Sequence, residues 1–249
     1  MKIEYMKFGH GLKTMVFLHG LTLQPISEMP RNFLPDYKIF SEDFTIYLFD
    51  YREDLPEGIG LKDLSEDVAE AIFELELNDI YLCGASLGGM MAQYLLIDHP
   101  QYFKKAALCS TVCKVGDDNR AFRWMEYAKK KDIISLIDRY MKDVYTEEYY
   151  ERSIDVMISM YKDLSDDNLK DLIIRLESVK GFDLSDKVQK IGIPCLLVGS
   201  KKDKLFTYEE MKMTADKIGC DSYFYEGYSH KVYDEAPDFK EMVYNFYMK

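Results

Sequence analysis

A chain of 249 residues with 47% apolar and 31% charged residues can bury a large core and lies far from the composition of a disordered segment. Its formal charge of −12 repels polyanions, which argues against nucleic acid or an anionic membrane as a partner, and no apolar run approaches the roughly 18 residues of a membrane span. Five cysteines, at positions 83, 109, 113, 195 and 220, form neither a CxxC pair nor a Cys/His metal pattern and read as free buried thiols in a reducing cytoplasm.

In chain order, Met1 to Lys13 interleave Lys and Glu with single apolar residues. That pattern lacks the apolar core of a secretory signal, so a cytoplasmic protein is expected, with a short antiparallel strand near Lys2 to Phe8. Short apolar runs then predict strands at Thr14 to Leu18, Phe44 to Phe49, Ile80 to Cys83, Ala106 to Cys109, Pro194 to Val198 and Ser222 to Tyr225. Leu64, Val68, Ala71, Ile72 and Leu75 recur three and four residues apart, which predicts an amphipathic helix over about Leu61 to Leu77. A further helix runs from the Gly84–Gly88 turn to about Ile97, another starts at the Thr207-Tyr208-Glu209-Glu210 capping box, and Pro237 to Tyr247 carries Phe239, Met242, Val243 and Phe246 for a C-terminal one. Strands alternating with helices predict an α/β fold, a mostly parallel sheet with helices on both faces. The stretch from about Thr111 to Gly181 contains no convincing strand and reads as three or four helices inserted into one domain, because neither repeat nor linker sets it apart.

Gly84-Ala85-Ser86-Leu87-Gly88 follows a strand and opens a helix, the strand–turn–helix setting that exposes a nucleophilic serine. Composition alone yields roughly 0.04 such GxSxG patterns in this chain, so chance is a weak rival. A serine hydroxyl is a poor nucleophile at neutral pH and needs an adjacent base. Of four histidines, His10 and His99 read as surface or capping residues and His19 as structural, leaving His230 in the loop after the last strand. The acid is expected at the carboxyl end of the preceding strand, where Gly199 to Lys202 lead to Asp203; Asp50 competes in space but precedes the serine and reads as a support for a neighbouring loop. Leu18-His19-Gly20-Leu21 ends the first parallel strand, so the backbone N–H groups of Leu21 and Leu87 are the candidate oxyanion donors. In the insert, Phe122, Trp124, Met125 and Met157 are candidates for an apolar pocket or for helix core.

From the turn at His19-Gly20 to Ser229-His230 and the C-terminal helix, the sequence resembles the α/β-hydrolase superfamily. The run Gly84 to Gln93 is especially similar to small-molecule esterases and enol-lactone hydrolases. The resemblance implies an α/β-hydrolase fold with an eight-stranded sheet, a helical cap after the sixth strand, no cofactor, and a small ester-like substrate attacked by Ser86 with His230 and Asp203. Asp50-Tyr51-Arg52-Glu53-Asp54-Leu55-Pro56 departs from the Gly-rich DxRGxGxS turn of many relatives, and the insert holds no motif that names a substrate. The same triad serves C–C bond hydrolases, thioesterases, amidases and acyltransferases, some members of the fold only bind ligands, and the Tyr-rich stretch Tyr140 to Tyr161 also suits a protein contact.

Overall fold

The structure is a computed structural model that describes residues 3–28 and 37–249. Strands β1 (Ile3–Gly9), β2 (Lys13–Leu18), β3 (Phe44–Arg52), β4 (Ile80–Ala85), β5 (Phe103–Cys109), β6 (Cys195–Ser200) and β7 (Asp221–Tyr225) form one sheet in the order β1-β3-β2-β4-β5-β6-β7. β1 runs antiparallel to β3, and every other neighbouring pair is parallel. Alternation along the strands feeds two cores. In β2, Val16 and Leu18 pack on one face, and Met15 and Phe17 pack on the other.

Two expectations need correction. Among the described residues the sheet has seven strands, not the eight implied by the resemblance, because β1 is the one strand ahead of β2 and pairs directly with β3. The helical insert therefore follows the fifth strand of this sheet and not a sixth. The strand expected near Lys2 to Phe8 is β1, although Lys2 lies outside the described residues. Cys83, Cys109, Cys113 and Cys195 are buried free thiols, whereas Cys220 is only half-buried, since it lies in the turn leading into the exposed start of edge strand β7.

Helix α1 (Leu61–Glu74) stops three residues short of the expected end, capped at Leu75, and α2 (Leu87–Asp98) rises directly from the β4 turn. Between β5 and β6 lie α3 (Trp124–Lys129), α4 (Ile133–Val144), α5 (Glu147–Tyr161) and α6 (Asp166–Ser178). They are followed by α7 (Tyr208–Ile218), with the expected Thr207–Glu210 capping box, then α8 (Val232–Glu235) and α9 (Phe239–Met248). Residues of α1, α2 and α7 join the core on one sheet face, and Phe239, Val243 and Tyr247 of α9 join the other. No helix among the described residues is long and apolar enough to cross a membrane.

Two buried charges organise the insert. Asp143 on α4, 1% exposed, accepts hydrogen bonds from Trp124 Nε1 at 3.0 Å and from Arg139 Nε and Nη2 at 2.9 and 2.7 Å. Arg175 on α6 reaches Thr22 Oγ1 at 3.3 Å and lies over the Tyr51 ring, tying the insert to the loop after β2. The two feet of the insert meet at an antiparallel bridge between Lys114 and Asp183, flanked by Leu184 N–H to Cys113 O at 2.7 Å and Val115 N–H to Phe182 O at 3.0 Å.

The loop after β2 is held from β3. Asp50 accepts N–H groups from Ile26 at 2.6 Å and Tyr51 at 2.9 Å and lies 3.5 Å from His19 Nε2, which is the loop-supporting role read from the sequence. Burial works to raise the Asp50 carboxyl, but His19 and the two N–H groups outweigh it and hold it below its ordinary value. Its stabilising effect is therefore present above the unfolded value of about 3.9 and is lost as pH falls through the lower folded value.

Chain reversal at β2 places β4 against it, so the ends of these two strands lie side by side, Leu18 opposite Gly84. The strand–helix turn fits because glycines leave room there. A Cβ on Gly88 would strike the carbonyl oxygens of Leu18 and His19, and one on Gly84 would come within 2.7 Å of Gly88 O.

Gly88→Ala is expected to cost about 3 kcal/mol in urea unfolding, the upper range of overpacking penalties. Gly192→Ala, where a Cβ meets nothing within 4 Å, should stay within about 1 kcal/mol of wild type. Equal losses in the two variants would refute the crowding argument. Asp50→Asn is expected to lose about 1–3 kcal/mol at pH 7 and to show a shallower stability loss below about pH 4 than wild type. Matching acid limbs would remove Asp50 from that account.

Candidate active site

Ser86 has φ 53° and ψ −117°, outside the conformations that non-glycine residues ordinarily adopt. Its N–H donates to Cys109 O at 2.8 Å, and its carbonyl accepts the Thr111 hydroxyl at 2.9 Å, so the β5 end holds the turn from both sides. The hydroxyl is thereby raised above the carboxyl edge of the sheet, where the residue keeps 9% exposure.

The loops after β6 and β7 bring the other two predicted residues to it. His230 Nε2 lies 2.9 Å from Ser86 Oγ, and His230 Nδ1 lies 2.8 Å from Asp203 Oδ2. The other carboxylate oxygen, Oδ1, accepts the N–H groups of Leu205 at 2.8 Å and Phe206 at 3.0 Å. A carboxylate surrounded by donors requires Nδ1 to carry its proton, which leaves Nε2 as an acceptor for the serine hydroxyl. The histidine is 2% exposed, and the Phe206 ring stands edge-on to its imidazole with centroids 5.3 Å apart, so water is largely kept from the pair. In a site of low dielectric such hydrogen bonds are stronger than in water.

The Leu21 and Leu87 N–H groups take no partner among the described residues, and both leucines line the cavity that holds Ser86. Leu87 opens α2, whose first-turn N–H groups have no intrahelical acceptor and favour negative charge. Gly20 lets the loop after β2 close on the nucleophile, since a Cβ there would stand 3.0 Å from the Ser86 Cβ. His19 supports this loop: Nδ1 donates to Gly20 O at 2.6 Å, and Tyr51 OH donates to His19 O at 3.2 Å. His99 pairs with Glu66 at the surface, and His10 is exposed.

The cavity over Ser86, about 510 Å³ with the open solvent at its mouth included, is walled by Leu87, Met90, Phe122, Trp124, Leu176 and Val179. Phe122 and Trp124 thus face it, as one reading of the sequence had them, whereas Met125 is buried in the core. A second cavity of about 1220 Å³ adjoins it through the shared residues Leu21, Tyr140, Lys231 and Tyr233, and Met157 with Tyr145, Tyr149 and Tyr161 lines that space. Sequence reasoning missed Thr111, Lys231 and Tyr233. The proximity of position 231 to His230 was the one signal available for the lysine.

The description "Serine aminopeptidase, S33" matches residues 60–237. The 3-oxoadipate enol-lactonase 2 of Acinetobacter baylyi is 20% identical over 184 residues, 72% of this chain and 69% of that protein. Among solved structures, the enol-lactonase from Burkholderia xenovorans LB400 superposes with a TM-score of 0.86 at 20% identity, covering 99% of this chain and 96% of that one. The esterase EaEST from Exiguobacterium antarcticum gives a TM-score of 0.83 at 22% identity over 99% and 96% of the two chains. At these identities the structural likeness establishes the α/β-hydrolase fold. With well over half of its residues inside the family match, the chain belongs to the serine aminopeptidase S33 family of α/β-hydrolase enzymes.

Proposed function

We propose that the protein is a serine hydrolase that cleaves an ester or lactone of a small molecule through an acyl-enzyme, without a cofactor. The observation that carries the reading is the unbroken line of hydrogen-bonding distances from Ser86 Oγ through His230 to Asp203, 2.9 and 2.8 Å, beneath a largely apolar cavity that opens to solvent. The enol-lactonase and esterase relatives named above favour carbonyl substrates of this kind.

Ser86 attacks the carbonyl carbon as His230 Nε2 takes its proton, and charge develops on the carbonyl oxygen between the Leu21 and Leu87 N–H groups. Collapse of the tetrahedral intermediate expels the alcohol, which receives that proton from His230. Water repeats the sequence on the acyl-enzyme, with His230 as base, and releases the acid. Asp203 fixes the tautomer and stabilises the imidazolium. The helical insert, part of the same domain, serves as a cap: Phe122 and Trp124 offer an apolar wall to the bound substrate and displace water from the reacting carbonyl.

Hydrolysis of short 4-nitrophenyl esters is expected to fall about 10⁴- to 10⁶-fold in Ser86→Ala and about 10⁴-fold in Asp203→Asn. A fluorophosphonate probe should label wild type and leave Ser86→Ala unlabelled. Equal turnover or equal labelling would discard the assignment.

A further inference from the structure

Lys231 follows the candidate base directly, and its side chain is largely enclosed at 18% exposure, yet no step above uses it. It lines both cavities, at the junction between the Ser86 chamber and its larger neighbour. The backbone is pinned there by Lys231 N–H to Val144 O at 2.9 Å. Nζ lies over the Tyr140 ring at 5.5 Å and the Tyr145 ring at 5.3 Å. Its one ionic neighbour among the described residues is Asp234 Oδ2 at 3.4 Å, well beyond the roughly 2.7–2.9 Å of a tight ammonium–carboxylate bond. That oxygen already accepts the Tyr145 hydroxyl at 3.0 Å.

An ammonium has three donors, and here none makes a hydrogen bond among the described residues. Burial opposes its charge, but the oxygens of Tyr140, Tyr145 and Asp234 outweigh that cost and hold the lysine well above its ordinary value. A desolvated cation with idle donors beside a reacting centre is costly unless a ligand completes it.

We propose that Lys231, with Tyr140, Tyr145 and Tyr233 around it, is a subsite for an anionic group, so that the preferred substrate is an ester or lactone carrying a carboxylate. The inference rests on the acyl-transfer reading and narrows its substrate class. The wall of Phe122 and Trp124 takes the uncharged half of the molecule, and the Lys231 side takes the charged half.

The test compares kcat/KM for charged and neutral esters matched in size, with the charge on either side of the scissile bond. One series sets 4-nitrophenyl hemiesters of linear dicarboxylic acids, succinate to suberate, against 4-nitrophenyl alkanoates of equal length. The other sets acyl esters of 4-hydroxybenzoate against those of 4-hydroxybenzamide. At least one charged ester should exceed its neutral partner tenfold in wild type. Lys231→Met should cut that ratio at least tenfold, whatever change both esters share, and Lys231→Arg should restore most of it. Neutral preference throughout both series, or a ratio unmoved in Lys231→Met, overturns the proposal. If Lys231→Met does not fold, competition against a neutral ester in wild type decides: linear dicarboxylates should inhibit at tenfold lower concentration than their diamides, and equal inhibition overturns the subsite. Turnover of neutral esters by wild type and its loss in Ser86→Ala report on the acyl-transfer reading separately.

Discussion

The turn at Ser86 holds a serine in a backbone state that costs a non-glycine residue about 1–3 kcal/mol and persists only where its surroundings permit no other. Those surroundings are specific. Cys109 and Thr111 grip the two sides of the peptide, Gly84 and Gly88 let strand, helix and neighbouring loop approach closer than any side chain would allow, and Gly89 gives Thr111 its place. Relaxing the turn would drop the hydroxyl towards the sheet and aim the Leu87 N–H elsewhere, so nucleophile and oxyanion donor depend on one strained residue.

Three loops contribute to the edge that this turn defines, and each is anchored outside it. The loop after β2 is fixed through Asp50 and Arg175, Asp203 through the N–H groups of Leu205 and Phe206, and the His230 loop through Ser200, whose hydroxyl donates to the carbonyls of Tyr225 and Tyr228. Side chains positioned this way lose little further freedom when a substrate binds, which is the condition for electrostatic stabilisation without reorganisation.

The parts of this arrangement visible in the sequence are those with short-range signatures. Apolar runs of strand length, the GxSxG spacing, and the order Ser86, Asp203, His230 all survive without knowledge of packing. Strand number did not, because it was carried over from similarity and not read from residues before Lys13. The insert was the least legible region. Its sequence shows helices without showing that Asp143 and Arg175 are buried and link helices to one another and to the loop after β2. Tyr140 and Tyr145 likewise turn inward to line a cavity. Helical periodicity identifies an apolar stripe but says nothing about which charge on the opposite face meets a partner from residues far along the chain. Lys231 was hidden for the same reason, since its significance lies in aromatic rings contributed by the insert.

The bridge between Lys114 and Asp183 has a bearing on how such an enzyme changes over generations. Since the chain leaves the carboxyl edge of the sheet and returns towards it at one stapled point, the residues in between close a loop whose entropic cost grows only slowly with length, about 0.6 kcal/mol for each doubling. Beyond that staple the insert is tied again, by Arg175 to Thr22 and by Val144 O to the Lys231 N–H, so a change in its helices is felt at the loop after β2 and at the His230 loop. A grafted insert from another protein therefore has to match the two backbone stubs and also remake these links to the loops that carry the candidate site.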